Sequence, residues 1–365
     1  MQLTYGKATR DVSRRGFRRL TNISTSLGVF FLVLAAASQA WAGYRATNLV
    51  SDIPGVARRT DANLVNPWGI AVGGGGTIWV ANNGTGTSTL YDANGVPQSL
   101  IVAIPTSSTN TDGANPTGTV FNSSAGFVVS ENGLSGPAIF IFVSEDGSIS
   151  GWSPTVDATN AIRAVDDGAE GAVYKGAALG TSSQGLRLFV TNFHEAKVSI
   201  YDDTFAEIDD PAAFIDPNVP SGYAPFGIES INNLIYVTYA KQDAAGHDDV
   251  PGRGHGYLAV FDADGNLVNH LVSQGPLNSP WGLALAPDGF GNFSGALLVG
   301  NFGDGAVNGF DPTSGAFLGR MRKPDNTPLQ IEKLWALHVI DNEVFFTAGI
   351  VDESHGLFGV IQSRR

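Results

Sequence analysis

The chain has 365 residues, a formal net charge of −13 and no cysteine. The lack of cysteine excludes disulfide bonds and thiolate-ligated metals. An acidic chain is also a poor partner for nucleic acid and for anionic lipid, so we expect neither as a ligand.

The first 42 residues have the three parts of an export signal. Six Lys and Arg side chains lie within residues 7–19 and precede the apolar run 27–37, which is too short to span a bilayer as a helix. Ala40-Trp41-Ala42 then supplies small residues at the positions that a signal peptidase reads. We therefore predict a cleavable signal over 1–42 and a periplasmic or secreted mature protein, 43–365, without a membrane span.

The basic segment also contains Ser13-Arg14-Arg15-Gly16-Phe17, which is typical of the twin-arginine export route. The alternative is an ordinary Sec signal that happens to carry two adjacent arginines. The sequence leaves both routes open.

After the signal, a motif that ends in glycine recurs about every 50 residues, a period typical of propellers. Its clearest copies are Asn66-Pro67-Trp68-Gly69, Ala224-Pro225-Phe226-Gly227 and Ser279-Pro280-Trp281-Gly282. The aligned positions are Gly69, Gly118, Gly176, Gly227, Gly282 and Ala336. Because no apolar stripe of helical period follows the signal, we predict an all-β fold: one six-bladed β-propeller domain of four-stranded blades.

Each repeat continues with a second apolar strand and then with turns rich in Asp, Asn and Gly. The second strands are predicted at 77–81, 127–129, 188–191, 235–238, 297–299 and 344–347. The last repeat runs out after Ile361, one strand short of a blade. Residues 49–52 match 271–274, so we predict that the N-terminal strand pairs with the last blade and closes the ring, which covers two sheet edges.

With the repeats aligned, the chain resembles an uncharacterised family of exported bacterial six-bladed β-propellers, related in fold to NHL and gluconolactonase-like proteins. The matching segments are 66–69, 173–178, 224–227, 236–243 and 279–305. The resemblance covers nearly everything after the signal and implies a fold and an exported location, but no activity. Its likeness to calcium-dependent lactonases concerns the fold alone, and a fold does not transfer function.

In a propeller, first strands begin and second strands end on the same face, around the mouth of the central channel. The predicted second strands end there in Asn82, Glu131, Asn192, Tyr239 and Asn301. Carboxylate and amide oxygens are ligands that Ca²⁺ prefers, so Asn82, Glu131, Asn192 and Asn301 are candidate metal ligands and Ca²⁺ is a candidate cofactor. Alternatively, each asparagine satisfies the backbone where its own strand stops.

Lys175 occupies a position that is aromatic in four other blades, namely Trp68, Phe226, Trp281 and Trp335. We expect the aromatic side chains to pack between blades. A single cation at this position would attract an anionic ligand or pair with a neighbouring acid, for which the candidates are Glu131, Asp166, Asp167 and Glu170.

The longest polar insertion, residues 241–256, joins the second and third strands of one blade and is expected to overhang the same mouth. Its Asp243, His247, Asp248 and Asp249 join Lys175 and Tyr239 as candidate ligand-binding residues. The three aspartates and His247 have metal-ligating side chains, and His247 is also suited to act as a base near neutral pH. The alternative is a solvated acidic loop without a ligand.

The sequence contains no Gly-x-Ser-x-Gly elbow and no His-Glu-x-x-His motif, and it identifies no catalytic residue. We therefore expect a monomeric exported propeller that acts as a binding or scaffold module, with a small molecule or a protein at the channel mouth. Two alternatives stay open. One is a Ca²⁺-dependent hydrolase of the lactonase kind in which Glu131 or His247 moves protons, and the other is a purely structural interaction protein.

Overall fold

The structure is a computed structural model that describes residues 43–364. Within this range the chain forms six blades of β-sheet, which confirms the predicted all-β, six-bladed propeller. The helical content of the range is three short 3-10 turns, Asn83–Thr85, Gly168–Glu170 and Gly291–Phe293. No helix in the described range is long and apolar enough to cross a membrane. The predicted export signal, 1–42, lies outside the described residues.

The strands are numbered in chain order, beginning with β1 (Gly43–Ser51) and the short β2 (Arg59–Thr60). Blade 1 contains β3 (Pro67–Val72), β4 (Ile78–Asn82), β5 (Thr87–Tyr91) and β6 (Pro97–Ala103). Blade 2 contains β7 (Pro116–Phe121), β8 (Val128–Glu131), β9 (Leu134–Pro137), β10 (Phe140–Ser144), β11 (Ser148–Trp152) and β12 (Ile162–Asp166). Blade 3 contains β13 (Tyr174–Ser182), β14 (Gly185–Asn192), β15 (Lys197–Asp202) and β16 (Glu207–Ile208).

Blade 4 contains β17 (Tyr223–Ile231), β18 (Leu234–Lys241), β19 (Gly256–Phe261) and β20 (Leu267–Ser273). Blade 5 contains β21 (Pro280–Leu285), β22 (Leu297–Asn301), β23 (Val307–Phe310) and β24 (Phe317–Arg320). Blade 6 contains β25 (Leu334–Ile340), β26 (Glu343–Ala348) and β27 (Leu357–Arg364). Neighbouring strands within each blade are antiparallel. The short β2 pairs parallel with β1.

The N-terminal strand closes the ring, as the sequence predicted. β1 pairs antiparallel with β27, from Gly43 opposite Arg364 to Ser51 opposite Leu357. Side chains reinforce the junction, since His355 Nδ1 lies 2.5 Å from Asp52 Oδ2. The last blade therefore gains its fourth strand from the start of the described chain, and its edge is covered.

The recurring glycine allows the first strands of neighbouring blades to approach each other closely around the channel. A Cβ atom at Gly227 would lie 2.0 Å from the carbonyl oxygen of Trp281, and one at Gly282 would lie 2.4 Å from that of Trp335. The register of both strands also shifts at this point, which indicates a β-bulge. Bulges re-aim side chains. The residue before the aligned Gly or Ala lines the channel mouth in four blades: Trp68, Lys175, Phe226 and Trp335.

Three second-strand threonines fasten neighbouring blades together. Each threonine hydroxyl donates to a first-strand carbonyl oxygen of the next blade. Thr191 donates to Phe226, Thr238 to Pro280 and Thr347 to Trp68. Each hydroxyl oxygen also accepts a backbone N–H of its own blade, from Gly176, Gly227 and Ala336. Buried polar groups need such partners, so these contacts satisfy the bulged backbone while they fix the spacing between blades.

Blade 2 departs from the predicted alignment. The predicted second strand at 127–129 belongs mainly to an inserted hairpin, in which β8 pairs with β9 and with no other strand of the described chain. This hairpin packs against β11 and β12, on the outer side of the blade. The true second strand is β10, which ends at Ser144. The prediction was wrong because a solvent-facing hairpin and a blade strand carry similar short apolar runs, and strand pairing alone distinguishes them.

Candidate functional site at the channel mouth

A cavity of about 340 Å³ opens where the first strands begin. Its aromatic lining consists of Trp68, Phe226, Phe302 and Trp335. Its polar lining from the blades consists of Asn66, Asn83, Glu145, Lys175, Lys333 and Glu353. The insertion 241–256 adds His247, Asp248, Asp249 and Pro251. The loop therefore lies beside the mouth, where the sequence analysis placed it.

The aromatic side chains pack on each other at the base of this cavity. The Trp335 ring stacks on Trp68 and on Phe302, with centroid distances of 3.4 and 4.0 Å. Trp281 meets Trp335 edge-on at 5.8 Å. All four rings are less than a tenth exposed. The cluster thus forms a rigid apolar base, and its ring faces are largely covered by other rings.

Lys175 is the buried charge of the mouth, with only 2% of its side chain exposed. Its ammonium forms an ion pair with Glu145 and lies 3.8 Å from Asp248 Oδ1. It also lies 5.4 Å from the centroid of the Trp68 ring, in the range of a cation–π contact. The second oxygen of Glu145 accepts a hydrogen bond from Asn83 Nδ2 at 2.8 Å. This set of partners stabilises the ammonium, because an unpaired buried charge is costly.

Glu145 is the functional residue that the sequence analysis missed. It directly follows β10, and the misplaced second strand of blade 2 put Glu131 in that role instead. Glu131 is exposed at the end of β8. Of the other proposed partners of Lys175, Asp166 accepts hydrogen bonds from Ser107 and Ser108, Asp167 accepts them from Tyr174 and Tyr201, and Glu170 is exposed. A usable signal did exist, because an Asp-Gly turn follows Glu145 as turns follow other blade strands.

The overhanging loop contributes an imidazole–carboxylate pair. His247 Nδ1 lies 2.9 Å from Asp248 Oδ1, and this hydrogen bond raises the pKa of His247 and lowers the pKa of Asp248. Asp243 has a different role, since its Oδ1 accepts the backbone N–H of His247 at 2.9 Å and so shapes the turn. Gln242 Nε2 donates to the carbonyl oxygen of Phe193 at 2.6 Å and ties the loop to blade 3.

Glu145, His247 and Asp248 have the spacing of a metal site. Within residues 43–364 they are the one group of three or more His, Asp and Glu side chains whose ligand atoms lie within 4.8 Å of each other. The ammonium of Lys175, however, contacts Glu145 and approaches Asp248. A charged lysine between two carboxylates supplies the positive charge that a metal ion would supply, and it disfavours a divalent cation by like-charge repulsion.

The structure does not bring the predicted asparagine ligands together. Asn82 donates to Thr87 and Thr89 on the next strand, β5, and Asn192 donates to Glu195 in the following turn. Asn301 donates to Asp304 in the following turn and to the carbonyl oxygen of Pro276. None of the three lines the mouth cavity. The predicted arrangement was wrong because second-strand side chains point to the faces of their own sheet and not along the channel axis.

Tyr239, the last of the predicted strand-end residues, also lies outside the mouth cavity. It is buried in the packing between blades 3 and 4, beside Phe189 and Tyr257. Its hydroxyl has no hydrogen-bond partner among residues 43–364, and burial raises its pKa. Of the six predicted ligand-binding residues, the structure places Lys175, His247, Asp248 and Asp249 in the mouth.

The opposite end of the channel holds a second cavity of about 210 Å³. Its ionisable residues are Glu229 and His338, which lie two residues after the aligned positions Gly227 and Ala336. The equivalent residues of the other blades are Ala71, Val120, Ala178 and Ala284. Neither ionisable side chain has a side-chain partner within the described part of the chain. Burial raises the pKa of Glu229 to about 8 and lowers that of His338 to about 4.

The fold and this mouth define a six-bladed β-propeller with a ligand-sized cavity at one end of its channel. Among solved structures, virginiamycin B lyase from Staphylococcus aureus superposes with a TM-score of 0.50 at 11% identity, over 87% of this chain and 99% of that one. The PQQ-bound aldose sugar dehydrogenase from Streptomyces coelicolor gives a TM-score of 0.51 at 12% identity, over 88% and 99%. At these identities the likeness shows the fold alone.

No family model matches the chain. The chain is 32% identical over 321 residues to the uncharacterised protein R648 of Acanthamoeba polyphaga mimivirus, covering 86% of this chain and 78% of that protein. It is 30% identical over 333 residues to protein L690 of the same virus, covering 88% and 86%. The chain belongs to the family of these proteins. Because these relatives are viral, they give no support to the bacterial, exported family that the resemblance implied.

Proposed function

We propose that the protein is a monomeric exported binding module whose channel mouth takes a small molecule that carries an amine. The cavity is lined by four carboxylates, Glu145, Asp248, Asp249 and Glu353, but by only two lysines, Lys175 and Lys333. Because Lys175 is already paired with Glu145, the surplus charge of the mouth is negative. A negative cavity attracts and orients a cationic ligand.

The single observation that carries this proposal is the state of Asp249. Its Oδ2 is shielded from solvent and forms no hydrogen bond of regular geometry among the described residues, although the hydroxyl of Ser279 lies close enough to counter part of the effect of burial on its pKa. Burial raises the pKa of Asp249 and also that of Glu353 across the same cavity. A buried acceptor without a partner is costly, and a ligand ammonium would supply both the donor and the charge that it lacks.

The test is a thermal-shift and calorimetric series with mono- and diamines, each matched to an alcohol or diol of equal length. We expect amines, but not the alcohols, to bind and to raise the melting temperature. Asp249→Asn should weaken amine binding at least tenfold, whereas Glu131→Gln, on the outer hairpin, should leave it unchanged. No response to any amine, or equal binding by Asp249→Asn, would overturn the proposal.

The Ca²⁺-dependent hydrolase is the rival with a specific basis, namely the spacing of Glu145, His247 and Asp248. Lys175 argues against it, so we expect chelator-treated protein to bind no Ca²⁺ in a calorimetric titration. Tight Ca²⁺ binding that is lost in Glu145→Gln would favour the hydrolase over the amine-binding module. A panel of lactones and esters would then be the next experiment.

Export rests on the pattern of residues 1–42 and is part of the same proposal. The residues of β1 that the structure describes, Gly43–Ser51, all follow the predicted cleavage site. Cleavage there would leave the ring-closing strand intact. Mass spectrometry of the full chain expressed in a bacterial host should find a periplasmic protein that begins at Gly43, and an uncleaved cytoplasmic chain would contradict this.

A further inference from the structure

A second constellation of reactive groups lies at blade 4, outside the mouth cavity. Ser273 ends the outer strand β20, His270 precedes it by three residues, and Asp216 lies in the loop between β16 and β17. His270 Nε2 lies 2.6 Å from Ser273 Oγ, and His270 Nδ1 lies 2.5 Å from Asp216 Oδ2. The three side chains thus form one continuous line from carboxylate through imidazole to hydroxyl.

The surroundings of Asp216 suit it to orient the imidazole of His270. Its side chain is 0% exposed, and its Oδ1 accepts two hydrogen bonds of 2.9 Å from Asn218, one from the backbone N–H and one from Nδ2. Those bonds direct Oδ2 at His270. A buried carboxylate that accepts from Nδ1 fixes the imidazole tautomer, so that Nε2 is free to accept the serine proton.

Ser273 is placed as a nucleophile. The residue is exposed, and within residues 43–364 the imidazole of His270 is the one hydrogen-bond partner of its hydroxyl. The chain then turns through Gln274 and Gly275, with φ angles of 52° and 60°. The backbone N–H of Gly275 donates to no acceptor in the described range, so it is free to bind an oxyanion. The His270 ring is held beside Tyr257, with a centroid distance of 6.2 Å.

We propose that Ser273, His270 and Asp216 act as nucleophile, base and orienting acid in the cleavage of small carboxylic esters. Ser273 Oγ attacks the carbonyl carbon while His270 Nε2 takes its proton. The ester C–O bond breaks, and His270 returns the proton to the departing alcohol. Water, deprotonated by His270, then attacks the acyl-serine, so that the carboxylic acid is released and the serine is restored.

This proposal is independent of amine binding at the mouth, because none of its three residues lines that cavity. No sequence motif predicts this arrangement. The serine and histidine are neighbours in one strand, and the aspartate comes from the loop that precedes the blade. Triads are recognised by geometry and roles and not by order in the chain.

The test uses a fluorophosphonate probe, which phosphonylates an activated serine with loss of fluoride, followed by peptide mass spectrometry. We expect labelling of Ser273, none at position 273 in Ser273→Ala, and at least 100-fold slower labelling in His270→Gln and Asp216→Asn. The exposed turn residue Ser183 supplies the matched control, since Ser183→Ala should label like the wild type. Hydrolysis of p-nitrophenyl acetate should follow the same order.

Melting temperatures of all variants separate loss of chemistry from loss of fold. Ser273→Ala removes only an exposed hydroxyl and should melt with the wild type, so it remains a valid test if His270→Gln or Asp216→Asn unfolds. An unlabelled Ser273 in folded wild-type protein overturns the proposal. Labelling of Ser273 at the wild-type rate in a folded His270→Gln variant overturns it as well, because the serine would then react without a base.

Discussion

The two ends of the central channel differ in the surroundings that they give to Lys175, at the mouth, and to Glu229 and His338, at the far end. At the mouth, the buried Lys175 is held by Glu145 and Asp248 in a paired network. At the far end, Glu229 and His338 face a cavity and have no side-chain partner within the described residues. Burial raises the pKa of Glu229 and lowers that of His338, and both shifts favour the neutral form. Both ends are built from the same first-strand repeat. Pairing therefore keeps the charge of Lys175 at the mouth, whereas desolvation disfavours the charged forms of Glu229 and His338 at the far end.

The largest effect is expected from Lys175→Met, which breaks the network at the mouth. Glu145 and Asp248 would lose their shared cation, and removal of one partner of a buried pair typically costs about 3–5 kcal/mol. Urea unfolding at pH 7 measures the loss. Lys333→Met is the matched control. Its side chain is a quarter exposed, and its ammonium lies 3.4 Å from Asp352 and 3.6 Å from Glu353. Ion pairs that are partly exposed contribute little, so we expect a loss below about 1 kcal/mol.

A double variant sharpens this prediction. Glu145→Gln added to Lys175→Met removes the carboxylate that the first change leaves unpaired, and should recover part of the lost stability. Equal losses for Lys175→Met and Lys333→Met would instead show that the mouth holds no paired buried charge, and the contrast between the two ends would disappear.

The next effect belongs to Glu229 and grows as pH rises from about 4.5 to about 8. Because its folded pKa is raised to about 8 from the ordinary 4.5, its contribution to stability is fully present below pH 4.5 and is lost as pH rises through about 8. Glu229→Gln should therefore match the wild type at pH 4 and exceed it by a few kcal/mol at pH 9. Chemical unfolding at both pH values tests this, and a variant no more stable at pH 9 would show that Glu229 is solvated or paired.

His338 should give a smaller effect of opposite direction. Its folded pKa is lowered to about 4 from the ordinary 6.5, so its contribution is present above pH 6.5 and is lost as pH falls through about 4. His338→Gln should leave stability at pH 8 nearly unchanged and reduce the loss on acidification to pH 4. Thermal unfolding across pH 4–8 measures both. His255→Gln is the control, because its imidazole already has a partner, the carbonyl oxygen of Val250 at 2.8 Å.

The accuracy of the sequence analysis differs between elements for identifiable reasons. The blade alignment was confirmed wherever the glycine motif marks a first strand, because the bulge and the close approach of neighbouring strands require that motif locally. It failed between β7 and β10, where an inserted hairpin supplied a false second strand. Because of that one error, Glu131 was predicted in the position that Glu145 occupies, and the partner of Lys175 was not identified.

Three features could be predicted from the sequence alone: the number of blades, the closure of the ring by β1 and the position of the loop 241–256. All three follow from local periodicity and from counting strands. The contacts between distant side chains, in contrast, become visible only in the folded molecule. Glu145 reaches Lys175, and Asp216 reaches His270, across separations of 30 and 54 residues. Such contacts depend on strand pairing and on the face to which each side chain points, and neither is encoded in the local pattern of a single segment.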